Sequence, residues 1–90
     1  MAKIVIYTTA TCPYCLAAKR LLISKQAPFE EIKVDGDRSM RARMSDFAGG
    51  RTSVPQIFID GRHVGGCDDL YELERQGRLD ALLQTTGATP

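Results

Sequence analysis

Residues 9–20 read T-A-T-C-P-Y-C-L-A-A-K-R, and the reading of that stretch decides the fold. It follows K-I-V-I-Y-T, residues 3–8, a short apolar run rich in β-branched side chains. Such a run fits a strand buried on both faces, as in a parallel sheet. Beyond it the spacing changes. Ala17 and Leu21 lie four apart, as do Ala18 and Leu22, so a helix is expected from Pro13 to Gln26. Pro13 suits the first helical position, and Pro28 lies just past the end. Cys12 and Cys15 therefore stand where a strand hands over to a helix.

Downstream, F-E-E-I-K-V (residues 29–34) is a second strand candidate, and D-G-D then turns the chain. Asp37 is placed to cap a second helix, with Gly49-Gly50 as its stop. Met40, Met44 and Phe47 recur at i, i+4 and i+7 there, which predicts three core residues. Q-I-F-I-D-G-R-H-V-G-G reads as a hairpin about Asp60-Gly61. D-D-L-Y-E-L-E-R-Q-G opens with acidic caps and ends a helix at Gly77; R-L-D-A-L-L is a last short helix. The order is β-α-β-α-β-β-α plus a short C-terminal helix. A βαβ unit gives parallel strands and a hairpin gives an antiparallel pair, so the fold class is α/β with one mixed four-stranded sheet flanked by helices. One domain is expected over residues 1–84, with 85–90 as a frayed tail.

Bulk properties bound the function. Ninety residues make one small domain, and a net charge of +1 gives no expectation of nucleic-acid or anionic-membrane binding. No apolar run approaches the ~20 residues of a membrane span. Near the N-terminus one lysine precedes only four apolar residues, Ile4 to Tyr7, too few for a secretory leader, so a cytoplasmic protein is expected. Three cysteines, Cys12, Cys15 and Cys67, are an odd number, which argues against a disulfide framework. A bridge between residues three apart would also remove little entropy from the unfolded chain.

Redox chemistry suits the local pattern better. At a helix N-terminus, unpaired N–H groups and the macrodipole favour a thiolate on Cys12, and the thiolate is the nucleophile. Cys15, three residues on, returns to the same face and can resolve a mixed disulfide from a more buried position. The rival is a Cys₃His zinc site of Cys12, Cys15, His63 and Cys67. It is disfavoured because the first pair opens a helix, no second C-x-x-C exists, and His63 reads as an exposed strand residue.

Three stretches, C-P-Y-C at 12–15, R-T-S-V-P-Q-I-F-I at 51–59 and V-G-G-C-D-D-L at 64–70, carry a family resemblance. The chain resembles the dithiol glutaredoxins, of the short bacterial glutaredoxin 3 type, over about residues 2–84. The resemblance implies a thioredoxin fold and an enzyme that reduces protein disulfides and glutathione mixed disulfides. Glutathione is then the reducing co-substrate, with no metal or other cofactor required, and the enzyme is expected to be a monomer. Cys12 is then the nucleophile and Cys15 the resolving thiol. Tyr14, Arg51, Ser53, Val54, Pro55, Gln56, Gly66, Cys67, Asp68 and Asp69 form the implied glutathione site. Within it Val54-Pro55 is expected cis, and Val54 pairs with the tripeptide as an added strand. Backbone N–H groups of residues 67–69 receive the γ-glutamyl carboxylate, and Asp68 or Asp69 faces its ammonium.

One departure stands out. Relatives often carry a lysine three residues before the first cysteine; here the residue is Thr9. A cation that would favour the Cys12 thiolate and the glycyl carboxylate is missing, and Arg51 or Gln56 is expected to take the carboxylate. Cys67 is read as a small semi-buried residue whose backbone binds, and Arg38, Arg41 and Arg43 as a solvated helix face. A different class of function, a module sharing an iron–sulfur cluster between two chains through Cys12 and glutathione, fits poorly with Pro13 in the motif.

Overall fold

A computed structural model describes residues 2–84, so the expected tail lies outside the described residues. Five residues of alternating orientation set the sheet. β1 (Ile4–Thr8) is the central organiser, pairing in parallel with β2 (Glu30–Lys33) and antiparallel with β3 (Gln56–Ile59). β3 turns through Asp60 and Gly61, both at positive φ, into β4 (Arg62–Gly65). The sheet order is β2-β1-β3-β4. A register shift between Ile57 and Phe58 lets Phe58 face His63 while Ile57 faces Gly65.

Period-two alternation divides the strands between two cores. Ile4, Ile6, Ile57 and Ile59 point to one face. There they meet Ala18, Leu21 and Leu22 of α1 (Pro13–Ser24), Leu70 of α3 (Cys67–Arg75), and Leu79 and Leu83 of α4 (Leu79–Gln84). Tyr7 and Phe58 point the other way, onto Met44 and Ala48 at α2 (Arg38–Phe47). Among the described residues the second face has a single helix. That corrects one expectation: Met44 is fully buried, but Phe47 is 57% exposed. Its ring rests edge-on against Phe58 at 6.5 Å. With no second helix beside it among the described residues, an open groove bounded by Lys3, Val5 and Gly61 leaves its other side in solvent.

Helix ends follow the sequence signals. Asp37 Oδ1 accepts from Met40 N–H at 2.9 Å, capping α2. Gly49 and Gly77 take the left-handed turn after α2 and α3. α1 ends at Ser24, two residues short of the expected boundary. Gln26 takes the same left-handed turn at φ 56° without being glycine.

Candidate active site

The site forms where β1 ends, α1 begins, and the loop before β3 approaches the N-terminus of α3. Cys12 is the N-cap of α1, in extended geometry, and Pro13 occupies the first helical position. The Cys15 amide donates to Cys12 Sγ at 3.1 Å. Cys12 Sγ also lies 3.6 Å from the Val54 carbonyl oxygen. A thiol at an N-cap thus accepts the orphan N–H that a serine or aspartate usually takes, the partner a thiolate needs.

Cys15 differs sharply. It is 1% exposed, while Cys12 stays partly open to solvent. Burial first, then its hydrogen bond with Cys12, push the Cys15 thiol up to about 12. The Thr9 backbone N–H and the charge of Lys19 act in the opposite direction. Burial also pushes the Cys67 thiol up, and Asp68 adds to the shift. All three cysteines are free.

Beside Cys12 runs a groove of about 190 Å³ lined by Tyr14, Arg51, Ser53, Val54, Pro55, Gly66, Cys67, Asp68 and Asp69. The Val54-Pro55 bond is cis. Of the twelve residues expected at the site, nine line this groove, Cys12 adjoins it at Val54, Cys15 is bonded to Cys12, and Gln56 stands apart. Gln56 is 0% exposed, and its amide is committed to Ser53 and His63. The expectation that it takes a carboxylate is corrected: as the first residue of β3 it turns inward beneath the loop.

Asp69 is the joint of the groove's far wall. Its Oδ2 accepts from Gly66 N–H at 2.8 Å and from Arg51 Nη1 at 3.1 Å. The Gly66 bond, more than Arg51, holds its carboxyl below the usual range. Gly65 has to be glycine here, because at φ 122° a Cβ would collide with that carboxylate. Gly66 is the N-cap of α3, so capping falls to Asp69 from the third helical position, and Asp68 is exposed along the groove. Residues 67–69 open the helix, presenting N–H groups and the positive dipole end.

Sequence reading missed a second cluster behind Cys15. Glu31 Oε2 accepts from Thr8 Oγ1 at 2.6 Å and from Lys19 Nζ at 2.9 Å. Lys19, more than Thr8, holds the Glu31 carboxyl below its usual range. A helix-to-strand pair leaves no local spacing signal. Among the described residues, no three His, Cys, Asp or Glu side chains are arranged to hold a metal ion.

Comparison with known proteins agrees with this geometry. Residues 4–64 match the glutaredoxin family pattern. The chain is 55% identical to glutaredoxin 3 of Escherichia coli over 84 residues, 93% of this chain and all of that protein. It is 58% identical to a glutaredoxin of Pseudomonas aeruginosa over 83 residues, 92% of this chain and 98% of the other. Among solved structures, glutaredoxin from Brucella melitensis superposes with a TM-score of 0.84 at 52% identity, covering 94% of this chain and 91% of that one. A buckwheat glutaredoxin–glutathione complex superposes with a TM-score of 0.83 at 30% identity, covering 91% of this chain and 76% of the other.

Proposed function

Because the chain belongs to the glutaredoxin family and is a glutathione-dependent thiol-disulfide oxidoreductase, we propose a division of labour among its own residues. Cys12 attacks, Cys15 resolves, and the groove from Tyr14 to Asp69 holds the glutathionyl moiety. The observation that carries this reading is the contrast between the two sulfurs: one half-open at a helix N-cap with an amide on it, the other buried beneath it.

The chemistry balances as two exchanges. Cys12 Sγ, as thiolate, attacks one sulfur of a substrate disulfide. A mixed disulfide forms, the substrate S–S bond breaks, and the departing thiolate takes a proton from water. Cys15 then loses its proton to solvent and attacks Cys12 Sγ, which releases the second substrate thiol and closes a Cys12–Cys15 disulfide. Two glutathione molecules reopen that bond and leave as oxidised glutathione. For a glutathionylated substrate, free glutathione can replace Cys15 in the second exchange.

The environment of Cys15 orders the steps. Two of the causes that raise it, the hydrogen bond and the charge of Cys12, belong to Cys12 as a free thiol or thiolate. Once Cys12 sits in a mixed disulfide, both are gone, while the Thr9 N–H and Lys19 still favour the anion. Part of what holds Cys15 as a thiol before the first exchange is thus removed for the second, while its burial persists.

For the ligand, the proposal assigns the Val54 backbone edge to the cysteinyl part and the α3 N-terminus to the γ-glutamyl carboxylate. Asp68 or Asp69 faces its ammonium, and Arg51 takes the glycyl carboxylate. Arg51 is 47% exposed, within reach of both the groove and Asp69. The catalytic domain is taken as residues 1–84, acting as a monomer on disulfide-bearing and glutathionylated proteins in a reducing, cytoplasmic setting. Three free cysteines and a thiol donor suit such a setting. The test is a Cys15→Ser variant assayed with glutathione and glutathione reductase. It keeps turnover of a small glutathione mixed disulfide and loses reduction of a protein disulfide; retention of both activities refutes the assigned roles.

A further inference from the structure

The loop before β3 carries the groove's edge, and each of three successive residues in it is held by a different element. Arg51 bonds Asp69 on α3 at 3.1 Å. The Thr52 carbonyl accepts from Arg41 Nη2 on α2 at 3.0 Å. The Ser53 carbonyl accepts from Gln56 Nε2 on β3 at 3.0 Å, and Ser53 Oγ lies 3.3 Å from the same nitrogen. The first two ties are at the surface, where such bonds contribute little. The third is made by a fully buried amide.

The chemistry of that amide fixes its orientation. A carbonyl oxygen only accepts, so the Gln56 nitrogen has to face Ser53. The Gln56 oxygen is then left facing His63 Nε2, 2.6 Å away on β4. An amide oxygen also only accepts, so Nε2 carries the proton and donates. His63 is in turn held in place by its ring, 5.0 Å from the Phe58 ring and tilted by 33°. The register shift at Ile57/Phe58 is what brings the two rings to one face. A chain of donors therefore runs from His63 through Gln56 to the Ser53 carbonyl, one residue before the Val54 edge.

We infer that Gln56 and His63 are positioning residues for glutathionyl substrates: they hold the Ser53 carbonyl and so preset the Val54 edge on which the ligand pairs. Neither side chain lines the groove. The inference rests on the proposed use of that groove and extends it to two residues outside it. A preset edge lowers the ordering cost of binding and leaves the thiol chemistry untouched.

The test uses His63→Phe, which keeps the ring on Phe58 and removes the donor, Gln56→Met, which removes both bonds, and Arg41→Ala as the surface control. KM for a glutathionylated peptide is expected to rise about twofold in His63→Phe and about fivefold in Gln56→Met, with little change in Arg41→Ala. kcat and the rate of Cys12 alkylation by iodoacetamide stay near the parent values. Amide deuterium exchange of residues 51–54 speeds up in the first two variants. Unchanged KM and unchanged loop exchange in His63→Phe overturn the inference, even where Gln56→Met does not fold. If the parent protein does not turn over the glutathionylated peptide, the groove assignment fails instead, and loop exchange still decides whether the two residues hold residues 51–54.

Discussion

At the scale of single residues, the site works by giving like groups unlike surroundings. Three thiols share one small region, yet burial silences Cys15 and Cys67 while Cys12 keeps a donor and access to solvent. Asp69 shows the same economy, one carboxylate serving Gly66 N–H and Arg51 together. Replacing Asp69 by Asn keeps an acceptor for Gly66 but removes the charge. The variant should melt modestly below the parent at neutral pH, having lost the stabilising charge, and should bind S-methylglutathione more weakly by calorimetry; equal affinity would remove Asp69 from the ligand's ammonium. The cysteine pair was legible in the sequence because its geometry is set within one helical turn. The inward turn of Gln56 was not, because its partner His63 comes from another strand through a register shift that no local pattern announces.

At the scale of elements, helix termini were the clearest signals. Cys12-Pro13, Asp37 and the glycines after α2 and α3 mark boundaries by backbone chemistry that hardly depends on the rest of the fold. α1 is instructive because its end lacks the glycine. Gln26 N–H bonds the Ile23 carbonyl at 2.9 Å and Ala27 N–H bonds the Leu22 carbonyl at 3.0 Å, a Schellman ending with glutamine in the left-handed position. A side chain there costs about 1 kcal/mol. Gln26→Gly relieves it, less the extra freedom glycine gains when unfolded, for a net gain of roughly 0.5 kcal/mol in urea unfolding. A loss of stability would mean that the Gln26 side chain contributes something of its own. Phe47 shows the limit of periodicity. Helical spacing names the face a residue is on, but not whether a second helix will cover that face.

At the scale of the whole molecule, one sheet separates a well-covered face from a thinly covered one and delivers both walls of the groove to one end. The fold class followed from strand and helix order, since a βαβ unit joined to a hairpin leaves few arrangements. The ties between distant elements needed the structure. Lys25 at the end of α1 bonds Glu74 of α3 at 2.7 Å and Asp80 of α4 at 2.9 Å, and Glu31 joins β2 to Lys19 and to Thr8 of β1. Glu31 and Asp69 both have folded-state values lowered from 4.5 and 3.8. Their contribution is complete above the unfolded values and is lost as pH falls through the folded ones. Urea midpoints should therefore fall first as pH drops through 6.5, where burial of His63 disfavours its charged form, and more steeply below about pH 4 as these two carboxylates are protonated. Glu31→Gln should shallow that decline; an identical acid profile would show that the Lys19–Glu31–Thr8 cluster does not couple folding to pH.

The most direct measurement is thiol-specific alkylation of the reduced protein at pH 7 with iodoacetamide, read residue by residue by peptide mapping. Cys12 should be modified first and alone, with Cys15 and Cys67 protected until strongly alkaline conditions or unfolding. Modification of Cys15 or Cys67 at the rate of Cys12 or faster would contradict the account.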